Sequence, residues 1–201
     1  MGAEAKRGQP SRSSDSRVRL FVAVPVADGL LDHVRAAQAA LPASCHLRLL
    51  GPDQLHVTLA FIGEVEPSAA AEAAAVVATV PSGCGGEARL ADCLLLPSPA
   101  RARVIALAVD DAAGVFAGLY ERVMSGLEAA AVMRREKRPF RPHLTIARLR
   151  MPTALQPKAQ CESAPYPVSS VCLYRSELSR EGARYTVLTR TTLETVNGPR
   201  A

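Results

Sequence analysis

The sequence predicts an α+β fold of two lobes sharing a cleft, and three observations carry that reading. Apolar, β-branched runs alternate along the 201 residues with stretches whose apolar positions recur at three- and four-residue steps. Two of the strand-like runs hold one pattern, His56-Val57-Thr58-Leu59 and His143-Leu144-Thr145-Ile146, 87 positions apart and each inside its own group of strands and helix. At 48% hydrophobic the chain can bury a core of its own, so a single bilobal domain is expected over 17–195, each lobe bringing one motif to the cleft.

The elements follow in order. Residues 1–16 are rich in Ser, Gly and basic residues without an apolar period, and read as a disordered tail; 196–201 read as a C-terminal tail. A buried strand is expected over 18–24, then a helix over 27–41 with Leu30, Leu31, Val34 and Leu41 on one side and Asp28 as its cap. A short strand over 46–50 and a turn at 51–53 lead to the first motif strand, 55–62, closed by Gly63, with Val57, Leu59 and Phe61 facing the core. The Ala-rich run 67–80 is a helix starting on Pro67, and 81–86 a loop. Strands at 87–96 and 103–109 flank the turn Pro97-Ser98-Pro99. Helix 113–133 places Val115, Phe116, Leu119, Val123 and Leu127 on one face. The second motif strand covers 143–149 behind Pro139 and Pro142, and strands at 168–174 and 183–193 close the fold around Gly182.

The two motifs carry the chemistry. With four histidines and nine threonines in the chain, two of the histidines meeting this pattern by chance has a probability of roughly one per cent. Residues two apart on a strand share a face, so His56 goes with Thr58 and His143 with Thr145. Two imidazoles and two hydroxyls converging in a cleft suit a phosphodiester. Hydroxyls donate to the non-bridging oxygens, one neutral imidazole takes a proton from the nucleophile, and one imidazolium gives a proton to the leaving oxygen. Histidine suits this near neutrality because its ordinary pKa of about 6.5 lets both forms exist.

Composition limits the alternatives. The net charge of +5 is concentrated between Met133 and Arg150, where Arg134, Arg135, Lys137, Arg138, Arg141, Arg148 and Arg150 face one acid, Glu136. Such a field attracts an anion, although solvated charged loop is the plainer reading for Arg134 and Arg135. Aromatics are 4% with no Trp, which argues against a surface paved for stacking single-stranded nucleic acid. Cys45, Cys84, Cys93, Cys161 and Cys172 form no C-x-x-C pair and no even framework, so no disulfide scaffold or metal site is expected and a reducing cytoplasm fits. There is no apolar run of membrane-spanning length and no signal core, so no membrane association is expected.

Over most of its length the chain resembles the two-histidine (2H) phosphoesterases, and among them the RNA 2′,3′-cyclic phosphodiesterases of the LigT or ThpR type, once described as 2′-5′ RNA ligases. The resemblance rests on Arg19-Leu20-Phe21-Val22-Ala23-Val24, Leu55 to Val65, Arg138-Pro139-Phe140-Arg141-Pro142-His143-Leu144-Thr145-Ile146-Ala147-Arg148, Leu173 to Leu178 and Gly182-Ala183-Arg184-Tyr185. It implies a bilobal fold with two antiparallel sheets facing a central cleft and helices outside. It also implies metal-independent hydrolysis of an RNA 2′,3′-cyclic phosphate end to a 2′-phosphate; no cofactor and a monomeric chain are expected. By motif, His56 is then the proton donor and His143 the acceptor, Thr58 and Thr145 hold phosphate oxygens, and Phe140, Arg141 and Arg148 flank base or phosphate. Many relatives carry an aromatic at the position of Leu49, which bears on base preference rather than chemistry.

Competing readings are weaker. His33 and His46 lack the motif and read as structural or exposed. A zinc site needs third and fourth ligands that no carboxylate or thiol supplies at ligand spacing, and no G-x-S-x-G elbow supports a serine hydrolase. A non-catalytic module of the same fold that holds a nucleotide or RNA end would not need two titratable groups. Action on 2′-5′-linked oligonucleotides or cyclic nucleotides keeps the mechanism with another substrate.

Overall fold

A computed structural model describes residues 17–42, 47–156, 162–179 and 182–195. Both expected tails, Cys45, His46 and Cys161 lie outside the described residues. The elements run β1 (Val18–Pro25), α1 (Leu31–Ala39), β2 (Leu47–Leu49), β3 (His56–Val65), α2 (Pro67–Ala78), β4 (Gly86–Leu96), β5 (Ala102–Asp110), α3 (Val115–Ala129), β6 (His143–Thr153), β7 (Ala164–Val168), β8 (Ser170–Ser179) and β9 (Gly182–Thr192).

The strands lie in the order β7-β4-β5-β6-β3-β1-β8-β9, with β2 added beside β6. Every pairing between these strands is antiparallel. Two four-stranded halves result, β9-β8-β1-β3 and β6-β5-β4-β7, and each motif strand is the innermost strand of its half. They meet through one residue pair, Val57 with Leu144, both fully buried. The two sheets expected to face a cleft are thus halves of one sheet, continuous at a single pair and free to diverge on either side of it. Where β6 parts from β3, Gln38 of α1 donates through Nε2 to the carbonyls of Leu50 (2.8 Å) and Ile146 (2.9 Å), the latter also accepting from the Leu50 amide. Across the other flank, the buried Tyr166 hydroxyl donates to the carbonyls of Val24 and Pro25. One core spans both halves, filled from the helices by Ala73 and Val77 of α2 and by Phe116, Leu119, Val123, Met124 and Leu127 of α3.

Four expectations change. Asp28 does not cap a helix: it sits inside a 3-10 turn, Asp28–Leu30, which Leu30 N closes onto the Ala27 carbonyl ahead of α1. Helix α3 begins two residues later than expected because Gly114 takes a left-handed φ of 69°, and the Asp111 carboxylate accepts from the amides of Phe116 and Ala117. It stops at Ala129, with Ala131 at φ 54°; Val132 and Met133 keep the apolar period because they still pack on the core. Strand β7 went unread because Pro165 and Pro167 argue against a strand; it is an edge strand, where a missing amide costs nothing on the open side. Strand β8 begins at Ser170, two residues later than expected because Val168 ends β7, and runs on to Ser179. Among the described residues no helix is long and apolar enough to cross a membrane.

Candidate active site

Both motif strands are built on the same local device. On β3, Ala23 of β1 pairs with Thr58 and Val22 with Ala60, which leaves Leu59 as an extra residue. On β6, Ala106 of β5 pairs with Thr145 and Ile105 with Ala147, which leaves Ile146 extra. Each is a β-bulge one residue after the threonine, and each resets the alternation of faces. Leu59-Ala60 and Ile146-Ala147 are consecutive buried pairs as a result. The residue after each pair, Phe61 or Arg148, returns to the face of the histidine and threonine. Phe61 was expected in the core with Val57 and Leu59; it is 60% exposed and lines the cleft, because the bulge inverts its side.

The Val57–Leu144 pair is the pivot of this arrangement. In an antiparallel pair the flanking residues oppose each other crosswise, so His56 lies by Thr145 and Thr58 by His143, all four on the face opposite the buried Val57 and Leu144. All four line one cavity of about 740 Å³ between the halves, with Phe21, Phe61, Arg19, Arg48 and Arg148 around them. A smaller cavity of about 200 Å³ branches from it, sharing Thr58, Phe61 and His143 and reaching Tyr120, Phe140 and Arg141. The sequence-expected residues therefore come together in one branched groove.

The two imidazoles sit in unlike surroundings. His56 is enclosed by Phe21 (ring centroids 4.8 Å), Tyr185 (5.3 Å, edge-on) and Tyr174 (6.0 Å), which come from β1, β9 and β8. Burial, and next the charge of Arg148, push its pKa down to about 4; the Gln54 carbonyl opposes the shift and His143 adds to it. His56 is therefore neutral at pH 7. His143 is held by its Nδ1, 2.8 Å from the Arg141 carbonyl. A carbonyl only accepts, so Nδ1 carries a hydrogen and Nε2 is the nitrogen free to work.

Phe140 stacks flat on Tyr120 of α3 (4.3 Å, 5°), and Arg135 covers the Tyr120 ring at 5.5 Å. Arg135 also pairs with Glu121 (2.6 Å) and Glu128 (3.5 Å), so its charge is committed to α3 rather than left in a solvated loop. Leu49 does not line the groove: on β2 its neighbours Arg48 and Leu50 do, and Leu49 is 49% exposed away from it. His33 lies on α1 with its Nε2 buried and unpartnered. Among the described residues no three His, Cys, Asp or Glu side chains gather as a cation site.

Reading the sequence missed Arg48, Arg19 and the enclosure of Phe21, Tyr174 and Tyr185. Arg48 sits on a three-residue strand with no motif, and the aromatics are scattered over 164 positions that only the sheet order unites.

Comparison with known proteins agrees in sequence and in shape. The family model described as the 2′-5′ RNA ligase superfamily matches residues 23–180. A protein of Methanothermobacter thermautotrophicus named RNA 2′,3′-cyclic phosphodiesterase is 31% identical over 179 residues, covering 85% of this chain and 96% of its own. One of the same name from Thermus thermophilus is 30% identical over 190 residues, covering 90% and 93%. The crystal structure of Escherichia coli LigT complexed with 3′-AMP superposes with a TM-score of 0.75 at 25% identity, covering 88% of this chain and 98% of that one. The crystal structure of TT0787 of Thermus thermophilus gives 0.73 at 27% identity, with the same coverage.

Proposed function

Because the chain belongs to the 2′-5′ RNA ligase superfamily, we propose that it hydrolyses the 2′,3′-cyclic phosphate end of an RNA to a 2′-phosphate by acid–base catalysis between His56 and His143. The observation that carries this reading is that both imidazoles and both motif hydroxyls line one cavity, crosswise about the Val57–Leu144 pair. The phosphate lies between the strands. Thr58 and Thr145 donate to its non-bridging oxygens, and Arg148 faces the charge that grows as water adds to phosphorus. His143 Nε2 takes a proton from the attacking water as the new P–O bond forms. His56 gives a proton to O3′ as the P–O3′ bond breaks, leaving the 2′-phosphate.

Charge state makes the sequence of protonation specific. With its pKa at about 4, His56 is neutral at pH 7, so as proton donor it takes up a proton from solvent as the substrate binds: the phosphate's negative charge counters that of Arg148, the charged neighbour that lowers the ring most. Phe140 and Arg141, in the side branch beyond Thr58 and His143, are placed for the nucleoside rather than the phosphate. No cofactor enters the reaction.

Product analysis tests the reading. An oligonucleotide ending in a 2′,3′-cyclic phosphate should yield a 2′-phosphate end at an unchanged rate in EDTA. A 3′-phosphate product would reverse the direction of opening, and loss of rate on chelation that added metal restores would overturn the metal-independent account.

A further inference from the structure

Among the described residues, four strand pairings set two charged side chains directly opposite each other. Three are of opposite sign, Arg19 with Glu64, Arg89 with Asp110 and Glu177 with Arg184. The fourth is Arg48 of β2 with Arg148 of β6. Like charges placed across a pair repel, and the other three charged pairings of the sheet among the described residues avoid the arrangement. Neither arginine makes an ion pair with a described residue, and both line the groove that holds the two histidines.

The Arg48 head lies against the start of β9. A Cβ added at Gly182, the first residue of β9, would collide with Nη2 and Cζ of Arg48. The start of β9 in one half therefore lies against an arginine from the other, and Gly182, at φ 129°, leaves the room. Position separates this pair from the reacting phosphorus. Arg148 stands three residues beyond Thr145, about 10 Å at most by the strand rise, and Arg48 lies on the far side of Arg148 from β5, on the neighbouring strand. A phosphate held by the histidines and threonines engages Arg148 at the near edge and leaves Arg48 facing whatever follows along the groove.

Two arginines paired across neighbouring strands, both lining the groove of the histidines and neither in an ion pair with a described residue, fit a second phosphate. Resting on the hydrolase reading above, we propose that Arg48 is a specificity-determining residue that, with Arg148, binds the internucleotide phosphate next to the cyclic one, so that an RNA end is preferred over a mononucleoside 2′,3′-cyclic phosphate.

Steady-state kinetics on uridine 2′,3′-cyclic phosphate, on UpU ending in a 2′,3′-cyclic phosphate, and on the same dinucleotide with a neutral methylphosphonate linkage tests this. The unmodified protein should favour the charged dinucleotide by about tenfold or more in kcat/KM, and the neutral linkage should erase the preference. Arg48→Gln should lose that factor on the charged dinucleotide while staying within about twofold on the mononucleotide, since a phosphate contact adds affinity only where the phosphate exists. Its slope of log kcat/KM against log salt should be shallower by roughly 0.7, one single-strand phosphate contact. Arg48→Lys should fall between, keeping charge and losing the fork. Equal losses on both substrates, or a preference that survives the neutral linkage, overturn the assignment. If the unmodified protein turns over neither substrate, the hydrolase reading fails by itself. Binding of UpU 3′-phosphate against uridine 3′-phosphate then decides the Arg48 proposal separately: a margin lost in Arg48→Gln supports it, and no margin overturns it.

Discussion

Strands β3 and β6 position the same side chains with the same bulge and then surround them differently. On both, a histidine, a threonine two residues on and a third residue three beyond that share the groove face. Around His56 the chain packs three aromatic rings from three strands; around His143 it offers a backbone carbonyl and a loop dense in arginine. The sixth residue of the device is Phe61 on one strand and Arg148 on the other. Repeated backbone geometry thus supplies position, while unlike neighbours supply proton affinity. A pair of identical residues can divide acid from base work only if their environments pull them apart.

Removing either ring is the coarsest way to break the comparison. His56→Ala and His143→Ala should each lower kcat on a cyclic phosphate by about 10²- to 10⁴-fold. The roles separate on bis(p-nitrophenyl) phosphate, whose leaving oxygen departs without a proton. There His56→Ala should recover most of the loss and His143→Ala should not. Recovery by His143→Ala instead would exchange donor and acceptor, and a near-normal rate in either variant on the cyclic phosphate would remove that residue from the mechanism.

Stability should register the same asymmetry. The His56 pKa is about 4 in the folded chain and about 6.5 when unfolded. Between those values the unfolded chain binds the extra proton, so folding weakens as pH falls from 6.5 to 4, by about 3 kcal/mol in all, and is fully supported above 6.5. Urea titrations across that window should show the decline in the unmodified protein and lose this part of it in His56→Phe, which fills the same aromatic enclosure. An unchanged decline in that variant would mean that His56 does not drive it.

How much of this was legible in the chain depends on the range over which each feature is encoded. The four motif residues announce themselves because two-residue periodicity is local and the pattern repeats. The bulges do not, since Leu59-Ala60 and Ile146-Ala147 read as ordinary apolar positions and only pairing with β1 and β5 shows the extra residue; hence Phe61 was assigned to the core. Aromatics at 4% argue only against a stacking surface for nucleic acid, and Phe21, Tyr174 and Tyr185 gather round His56, with Phe61 against Phe21, because β8 and β9 return to the first half of the sheet. Strand β7 was hidden by its two prolines, which an edge position permits. Two lobes could be read from the spacing of the motifs, whereas the crossing of the C-terminal strands into the N-terminal half is a long-range choice that no window of sequence contains.

Arg148 links the two halves electrostatically, and its removal should sharpen the picture by a smaller step. The acid limb of kcat/KM reports the free enzyme, so it should fall near pH 4 where His56 titrates. Since Arg148 is the second cause lowering that ring, Arg148→Met should move the limb upward from about 4 toward the ordinary histidine range, whereas Arg148→Lys should hold it. Phe61→Leu, at the matching position of β3, carries no charge in either form and should leave the limb in place. Movement of the limb with Phe61→Leu and not with Arg148→Met would reverse the account of what sets His56.

The threonines are the subtlest test, because they are the part of the device in which the two strands differ least. Each is placed crosswise, Thr58 by His143 and Thr145 by His56, and on the proposed mechanism each hydroxyl reaches one non-bridging oxygen of the same phosphate. Thr58→Ala and Thr145→Ala should therefore raise KM alike, by about tenfold for one lost hydrogen bond to a charged group, with kcat nearly unchanged if the bond is as strong to substrate as to transition state. A fall in kcat for one variant alone would mean that its hydroxyl meets the oxygen on which charge grows. Symmetry of backbone would then have failed to give symmetry of binding, and the phosphate would sit nearer that strand. Valine in place of threonine settles whether shape or hydroxyl is at work, since Thr→Val keeps the branched side chain that β3 and β6 pack around. Kinetics unchanged in Thr58→Val would assign that residue to the strand and leave the phosphate to the backbone and to Arg148.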